Sequence, residues 1–184
     1  ICTSTIVGTV FSKIFETNRG YLNVILRALH LDFLCQQWLA TPKTALACLL
    51  FVNIWQWTGY SMLMYYTNML NIPQDLYESA TIDGAGSFKQ FIYITFPLLR
   101  GTHITLIILD ILGALKFFDL SYVLTDGGPA HATETFSTYI YTISFSTFQQ
   151  GQASTIVVYM FLIAMVLTVI QLKIYYKKDK KEMS

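Results

Sequence analysis

The sequence predicts an all-α protein, a polytopic bundle of transmembrane helices, and three observations support this fold class. Hydrophobic residues make up 54% of the 184 residues and charged residues only 12%, whereas soluble domains carry about 25% charged residues. Two long stretches, residues 44–74 and 151–172, contain no Asp, Glu, Lys or Arg. Lysines then cluster directly after the second stretch, in "KIYYKKDKK". Each stretch is long enough for a spanning helix of about 20 residues.

Four spans are expected in chain order. Residues 1–14 are apolar but shorter than the roughly 20 residues of a full span, which indicates the end of a span truncated by the start of the sequence. Residues 45–67 form an uncharged span with Trp and Tyr near its ends. Residues 100–124 form another span, interrupted by a few charges, and residues 151–173 form the most uniformly apolar one.

Basic residues set the expected orientation in the membrane. Five lysines lie at or after Lys173, and no Lys or Arg lies between Lys116 and Lys173. Since cytoplasmic segments carry an excess of Lys and Arg, the tail 174–184 is expected in the cytoplasm and the turn after residue 124 outside. The segment between residues 71 and 97 then also faces the cytoplasm. Arg19, Arg27 and Lys43 fall in an outer loop and oppose this assignment, but they are fewer than the tail lysines.

Several other classes of protein lose support from the composition. A net charge of +1 without a basic stripe gives no reason to expect nucleic-acid binding. Cys2, Cys35 and Cys48 are scattered, without the spacing of a disulfide framework or a zinc site. His131 has no neighbouring ligands that would make a metal site. We expect no metal, no bound cofactor and no catalytic residue in this chain.

The segment "NIPQDLYESATIDGAGSFKQFIYITFP" separates two apolar stretches and predicts a helix–turn–helix at the membrane surface. Asn71 can cap a first helix that has Pro73 in its first turn. Gly84 can end that helix in the left-handed conformation. Ser87 can cap a second helix, in which Phe88, Phe91, Ile92 and Thr95 share a face, and Pro97 is expected to break it before the next span.

The spacing of this segment resembles a family signature. "ESATIDG" followed by "ITFP" is similar to E-A-A-x3-G-x9-I-x-L-P, the EAA signature of the permease subunits of binding-protein-dependent ABC importers. Ser79 and Phe96 depart from it without changing the spacing. The resemblance implies that residues 71–97 are a coupling loop whose helix inserts into an ATPase subunit. The coupling residues it assigns are Glu78, Ser79, Ala80, Asp83, Gly84, Ile94 and Pro97.

Two later stretches resemble the carbohydrate branch of these permeases, the MalF and glycerol-3-phosphate permease type. They are "FFDLSYVLTDGGPAHATET" and "YIYTISFSTFQQGQAST". The similarity extends over nearly all of the sequence, as one N-terminally incomplete permease domain over residues 1–184. It implies a prokaryotic inner-membrane protein that carries a sugar. Gly127, Gly128 and Pro129 are expected to shape an outer turn near the entrance.

Polar and aromatic residues inside the spans are candidates for the solute path. Asp110 would cost roughly 2.5–3.5 kcal/mol if it faced lipid, so it is expected to face the interior or a watery path. At helical spacing it shares a face with Ala114, Phe117 and Ser121. Carboxylate and hydroxyl groups bind sugar hydroxyls, and a ring stacks on the apolar face of a sugar. Asn53, Gln56 and Trp57 offer the same chemistry in the preceding span.

The resemblance also implies partners. The sequence has no GxxxxGK[ST] phosphate loop, so ATP and Mg²⁺ are expected on separate ATP-binding subunits. A second homologous permease subunit and an extracellular or periplasmic solute-binding protein complete the expected complex, in contact with membrane lipid. Two alternatives remain open: the same transporter with an amino acid, peptide or anion as its solute, and a membrane-embedded enzyme using His103, Asp110 and Asp119.

Overall fold

The computed structural model describes residues 3–182, with side chains described for residues 3–173. Within that part of the chain the secondary structure is helical and contains no β-strand, as the sequence predicts. The expectations for Cys2 and for the lysine side chains of the tail 174–184 lie outside the described residues.

The helices are, in chain order, α1 Ser4–Ile14, α2 Tyr21–Ala28, a 3-10 turn Asp32–Leu34, α3 Pro42–Met69, α4 Gln74–Ile82, α5 Ser87–Gln90, a π-helical turn Phe91–Thr95, α6 Phe96–Leu98, α7 Arg100–Leu115, α8 Asp119–Thr125, α9 Phe136–Tyr141, a second π-helical turn Thr142–Ser146, and α10 Gln150–Glu182. The first residue of α3 is Pro42, where a missing N–H costs little because the first turn has no intrahelical acceptor for it.

Length and apolar composition within the described residues favour one spanning helix, Gln150–Lys173. The helices Ser87–Leu98 and Arg100–Leu115, which meet at a bend of 63°, would give a second span if they are one broken element. In the segment 150–173 only Ala153 is buried by this chain. A helix that exposes apolar side chains on all sides, while satisfying its backbone internally, is suited to a lipid environment.

Two compact units make up the chain, and their boundaries fall inside α3, α7 and α10. The first contains residues 1–57 and 113–165. Its apolar core comprises Val7, Phe15, Cys48, Val52, Leu120 and Leu124. Gly8 lets α1 approach α8 closely, because a Cβ there would lie 3.0 Å from a methyl carbon of Val123. Packing at such close range is what fixes the position of α8 and of the turn that follows it.

A buried asparagine organises the connection between α1 and α3 in the same unit. Asn23 is 2% exposed. Its Nδ2 donates to the carbonyls of Thr17 at 2.9 Å and Gln36 at 3.1 Å, and its Oδ1 accepts from Trp38 Nε1 at 2.8 Å. Both donor hydrogens of the amide and its oxygen are therefore hydrogen-bonded. Its burial then avoids the free-energy cost of an unpaired polar group.

The second unit contains residues 58–112 and 166–184 and includes the whole coupling loop. The loop leaves α3 near Met69 and enters α7 at Arg100. Before α7, Phe96 N donates to Phe91 O in a π-helical turn, and Pro97 follows directly. Proline has no N–H for an α-helical hydrogen bond, and its ring crowds the preceding turn. A π-helical turn before it widens the backbone, so that the helix continues through the proline.

The predicted span 100–124 is not one helix, and this corrects the sequence analysis. α7 ends at Leu115, residues 116–118 are non-helical, and α8 starts at Asp119. The connection is held from the following segment, because Thr135 Oγ1 donates to the carbonyl of Phe117 at 2.6 Å. Side-chain hydroxyls thus satisfy backbone groups that a continuous helix would have satisfied itself.

Candidate functional site

The first helix of the coupling loop, α4, ends in a Schellman motif centred on Gly84. Gly84 has φ +76°. Its N–H donates to the carbonyl of Thr81 at 3.0 Å, and the N–H of Ala85 donates to the carbonyl of Ala80 at 2.9 Å. These are the two hydrogen bonds that define the motif, and they need a residue in the left-handed conformation between them. The predicted role of Gly84 in closing the turn is therefore confirmed at the level of the backbone.

A glutamine that the sequence analysis did not single out braces this turn from the following helix. Gln90 Nε2 lies 2.9 Å from Thr81 Oγ1, 3.1 Å from the carbonyl of Ala85 and 3.4 Å from the carbonyl of Tyr77. A second tie joins the hydroxyls of Tyr77 and Thr95 at 2.8 Å. α4 is thus held against the next helical segment at its middle and at its C-terminal end.

The outward side of α4 and its turn combines acids, a hydroxyl and large apolar side chains. Ile82 is 86% exposed and Phe88 is 75% exposed, so neither side chain packs closely within this chain. The acidic and small members of the predicted coupling set lie beside them: Glu78, Ser79 and Asp83 are exposed, whereas Ala80 is half-buried. Asp75, an acid outside that set, is also exposed in the first turn of α4. Apolar side chains exposed on a rigidly closed turn are typical of a surface that meets another protein.

Three local predictions in this loop need correction. Pro73, not Asn71, precedes the first residue of α4, and the amide of Asn71 instead donates back to the carbonyl of Thr67 at 3.1 Å. Gly86 takes the capping position before α5, so Ser87 is the first helical residue. The break expected at Pro97 is present but lies at Leu99: the helix continues to Leu98, and the chain then bends by 63° into α7.

The predicted common face of the second helix is also wrong. Thr95 is 4% exposed, whereas Phe88, Phe91 and Ile92 are all at least 41% exposed. The π-helical turn over Phe91–Thr95 changes the number of residues per turn, so positions chosen at α-helical spacing no longer lie in one row. Of the two remaining predicted coupling residues in this segment, Ile94 is half-buried and Pro97 is exposed.

The solute-path candidates of α3 lie in the first unit. Gln56 Nε2 donates to Ser4 Oγ at 3.0 Å, so the amide bridges α3 and α1. Asn53 is half-buried, and Trp57 is 43% exposed. Gln56 is therefore used to join two helices, whereas the Trp57 ring keeps accessible surface that a solute could contact.

The candidates that follow do not share one helix face. Asp110 and Ala114 are four residues apart on α7 and both are exposed. Phe117 lies in the break after α7 and packs against the apolar core of the first unit. Ser121 lies on α8, is fully buried, and donates to the carbonyl of Thr133 at 2.6 Å. The shared face fails because α7 stops at Leu115, and Ser121 holds the next loop instead.

That loop contains the predicted turn at Gly127, Gly128 and Pro129, where Gly127 has φ +77° and the bond before Pro129 is cis. Thr133 is its central side chain. Its hydroxyl donates to the carbonyl of Gly128 at 2.7 Å and lies 2.6 Å from Thr125 Oγ1. The shape of the turn therefore depends on threonine hydroxyls that donate to backbone carbonyls. The threonines are visible in "TDGGPAHATET", but the sequence alone does not show which carbonyls they reach.

A cavity of about 330 Å³ opens beside this turn. Its wall includes the phenol rings of Tyr122 and Tyr141, whose centroids are 5.1 Å apart, and the side chains of Asp126, His131 and Glu134. His131 Nδ1 lies 3.1 Å from Glu134 Oε2. The lining offers hydroxyl and carboxylate acceptors next to aromatic faces, a combination that suits a polyhydroxylated ligand.

One group proposed for an embedded enzyme is already engaged. His103 Nδ1 lies 2.8 Å from the hydroxyl of Tyr65, and its Nε2 lies 3.2 Å from the carbonyl of Phe96. Both ring nitrogens thus have hydrogen-bond partners within the chain.

Comparison with known proteins bears on the whole chain. Residues 6–178 match the family described as "Binding-protein-dependent transport system inner membrane component". The chain is 35% identical over 182 residues to the probable ABC transporter permease protein YurN of Bacillus subtilis, covering 99% of this chain and 62% of that one. It therefore spans less than two thirds of that relative's length.

Two further relatives have solutes in their names. The sulfoquinovosyl glycerol transport system permease protein SmoG of Agrobacterium fabrum is 33% identical, with 94% of this chain and 55% of that protein covered. The trehalose/maltose transport system permease protein MalF of Thermococcus litoralis is 35% identical, with 92% and 56% covered.

Solved structures share the fold. A bacterial ABC transporter involved in the import of the acidic polysaccharide alginate superposes with a TM-score of 0.87 at 22% identity, covering 96% of this chain and 62% of its own. The same kind of transporter, in complex with an alginate pentasaccharide-bound periplasmic protein, gives a TM-score of 0.83 at 23% identity, covering 93% and 59%. With its helical fold and a family match over residues 6–178, this chain belongs to the inner membrane components of binding-protein-dependent transport systems.

Proposed function

We propose that this chain is the permease subunit of a binding-protein-dependent ABC importer for a carbohydrate, and that the coupling loop transmits ATP-driven movement to it. The observation that carries the proposal is α4: a short helix, closed by Gly84 and braced by Gln90, that presents exposed apolar and acidic side chains between two apolar segments. The sequence contains no phosphate-binding loop of the GxxxxGK[ST] type, so the proposal assigns ATP hydrolysis to a separate subunit. That subunit must then contact this chain, and α4 offers the surface for the contact.

The partner for this surface is an ATP-binding subunit. Ile82 and Phe88 would fill an apolar cleft, since a few side chains buried at the centre of an interface supply most of its binding energy. Asp75, Glu78 and Asp83 surround them and would meet basic side chains or backbone N–H groups on the partner. ATP and Mg²⁺ belong to that subunit and not to this chain.

A carbohydrate solute is supported by the names of the relatives and by the chemistry of two regions. In the first unit, exposed Trp57 offers a stacking surface within an apolar segment. Beside the Gly127 turn, the cavity lined by Tyr122 and Tyr141 combines rings with oxygen atoms. Aromatic faces with a few oriented polar groups are typical of small-molecule sites.

The remaining partners follow from the family. A second permease subunit would form the other half of the path, and a solute-binding protein would dock on the side of the Gly127 turn. We place that turn outside and the coupling loop and C-terminus in the cytoplasm, from the distribution of Lys and Arg. Closure of the ATPase subunits would move α4 inward and switch the path from outward to inward opening.

Co-purification of the tagged full-length protein from its native membranes tests the proposal. We expect ATP-binding subunits and a second permease to co-purify with the wild type, and both ATPase activity and uptake in liposomes to rise with the binding protein and its sugar. Gly84→Asp should reduce recovery of the ATP-binding subunits while the permease still inserts. A well-folded wild-type protein that purifies alone would contradict the transporter assignment.

Competition for uptake decides the solute class. Neutral oligosaccharides should compete with the labelled sugar, whereas amino acids, peptides and inorganic anions should not. If one of those latter classes competes instead, the coupling assignment stands and the carbohydrate assignment is wrong.

A further inference from the structure

Three groups meet at the base of the coupling loop, where the chain leaves α3 and enters α7. The hydroxyl of Tyr65, near the end of α3, lies 2.8 Å from His103 Nδ1. His103 Nε2 lies 3.2 Å from the carbonyl of Phe96, and the rings of His103 and Phe96 have centroids 4.6 Å apart. Tyr65, His103 and the Phe96 carbonyl together are called the base node below.

The chemistry of these partners assigns the protons. A carbonyl oxygen can only accept, so Nε2 of His103 must carry the hydrogen that it donates to Phe96. In the neutral ring Nδ1 is then an acceptor, and the Tyr65 hydroxyl donates to it. One imidazole thus connects the end of α3 to a backbone carbonyl across the whole coupling loop.

The carbonyl that accepts this bond lies at the bend. The helix that ends at Leu98 and α7 meet at 63°, and Phe96 is the first residue after the π-helical turn. Around the bend the backbone bonds continue, from Leu99 N to Thr95 O at 3.0 Å and from His103 N to Leu99 O at 3.0 Å. Pro97 and the π-helical turn supply the local cause that a bend of this size needs. The bond from His103 to Phe96 then ties α7 to the residue beside the bend.

The coupling loop itself is braced internally by Gln90 and by the Tyr77–Thr95 bond. These bonds tie α4 to the segment that leads into the bend, so that the two are joined by more than the connecting backbone. At the bend, the effect of a displacement of α4 depends on whether the angle between the loop and α7 is fixed.

We propose that His103 is a positioning residue for coupling: the base node fixes the bend between the coupling loop and α7, so that movement of α4 reaches α7 and is not absorbed at Leu99. This rests on the proposed function, since it assigns the residue that transmits an ATP-driven movement. It gives a role to a histidine that neither the signature of the loop nor the solute path uses.

Three variants in the complete transporter test the base node. His103→Phe keeps a ring against Phe96 and removes both hydrogen bonds, and Tyr65→Phe removes only the hydroxyl. His103→Gln restores an amide N–H donor and a carbonyl acceptor. Tyr66→Phe is the matched control, because Tyr66 is the neighbouring tyrosine and is 58% exposed.

Two measurements are made on each variant: hydrogen exchange at the amides of Leu99 and His103, and solute transported per ATP hydrolysed. For His103→Phe we expect exchange at least 10-fold faster, and transport per ATP at least threefold lower, while ATP hydrolysis continues. Tyr65→Phe should move both readouts in the same direction, His103→Gln should recover at least half of each effect, and the Tyr66→Phe control should match the wild type. The double variant Tyr65→Phe/His103→Phe should be no worse than His103→Phe alone, because the two groups act through one contact.

Unchanged exchange in His103→Phe would overturn the proposal, since the bend would then be held by packing alone. Faster exchange with unchanged transport per ATP would also overturn it, because the bend would not transmit movement. The exchange measurement does not depend on transport. If the wild type neither hydrolyses ATP nor transports a solute, the proposed function fails, and the exchange result still decides whether the base node fixes the bend.

Discussion

Replacing Gly84 tests whether the closed end of α4 is the surface recognised by the proposed ATP-binding subunit. A side chain in the left-handed region costs about 1–2 kcal/mol. At Gly84 this strain stands alone, because an added Cβ would meet no atom of the chain within 4 Å. Gly84→Ala should therefore lower the equilibrium constant for closing the turn by a factor of about 5–30. Gly84→Val should cost more, because β-branched residues rarely adopt φ near +76°.

Hydrogen exchange measures this directly, because the amides of Gly84 and Ala85 donate the two bonds of the Schellman motif. Their protection in the purified permease should fall by about 5–30-fold in Gly84→Ala. Recovery of ATP-binding subunits should fall in the same order, with Asn tolerated best, then Ala, then Val, since Asn enters the left-handed region readily. Gly84→Asp compared with Gly84→Asn isolates the effect of a negative charge at the partner surface.

Gly86→Ser is the matched control for this series. Gly86 has φ −70° and ψ 164° at the start of α5, a conformation that Ser adopts freely and in which it caps a helix well. Gly86→Ser should keep both the exchange protection and the partner. If Gly84→Val retains full protection at Ala85, the strain argument is wrong; if protection is lost and the partner is retained, the turn is not the recognised feature.

Three further predictions concern the first unit. Gly8→Val should force α1 away from α8 and destabilise the unit by about 1–3 kcal/mol, as overpacking does, which faster thiol labelling of buried Cys48 would report. Asn23→Ala should cost about 3 kcal/mol or more, because it leaves the Trp38 indole N–H and two carbonyls without partners at about 1–3 kcal/mol each; a lower Tm in detergent and a red-shifted Trp emission would show it. Thr133→Val should cost about 1–3 kcal/mol and expose the Gly127 turn to proteolysis, since the carbonyl of Gly128 loses its donor.

Each of these predictions has a control and a contradicting outcome. An added Cβ at Gly59 would meet nothing within 4 Å, so Gly59→Ala should leave thiol labelling unchanged. Asn18 is exposed, and Asn18→Ala should keep the Tm and the emission. Thr105→Val removes a bond within helix α7 and should leave the turn resistant to protease. A Gly8, Asn23 or Thr133 variant that behaves like its control would show that the contact named for it does not hold the unit together.

Helices and turns could be predicted from the sequence where a single residue type, or an uncharged run, decides the local backbone conformation. Uncharged runs of sufficient length predicted helices, and α3 extends from Pro42 to Met69 where residues 45–67 were expected. Gly84 was placed in the left-handed region because few other residues can close that turn. The all-α class follows in the same way, from apolar runs too long for strands.

Side-chain contacts between residues that only folding brings together could not be predicted from the sequence. Gln90 has no local signature, and its acceptors at Tyr77, Thr81 and Ala85 converge only after the turn has closed. The break after Leu115 contains no Gly or Pro, the residues that usually mark a helix end. The sequence therefore predicts a continuous helix there. The backbone of the break is satisfied by hydroxyls from a segment about twenty residues away, which periodicity cannot show.

The braces of the coupling loop have a consequence for protein engineering. The bonds that shape α4 and its turn, from Gln90 to the turn and from Tyr77 to Thr95, begin and end within residues 77–95. Each of these bonds therefore has both its donor and its acceptor inside this one stretch. Under the proposed coupling function, residues 77–95 moved as a block into another permease of this fold should keep the shape of α4 and its turn. The transfer should also change which ATP-binding subunit that permease recruits.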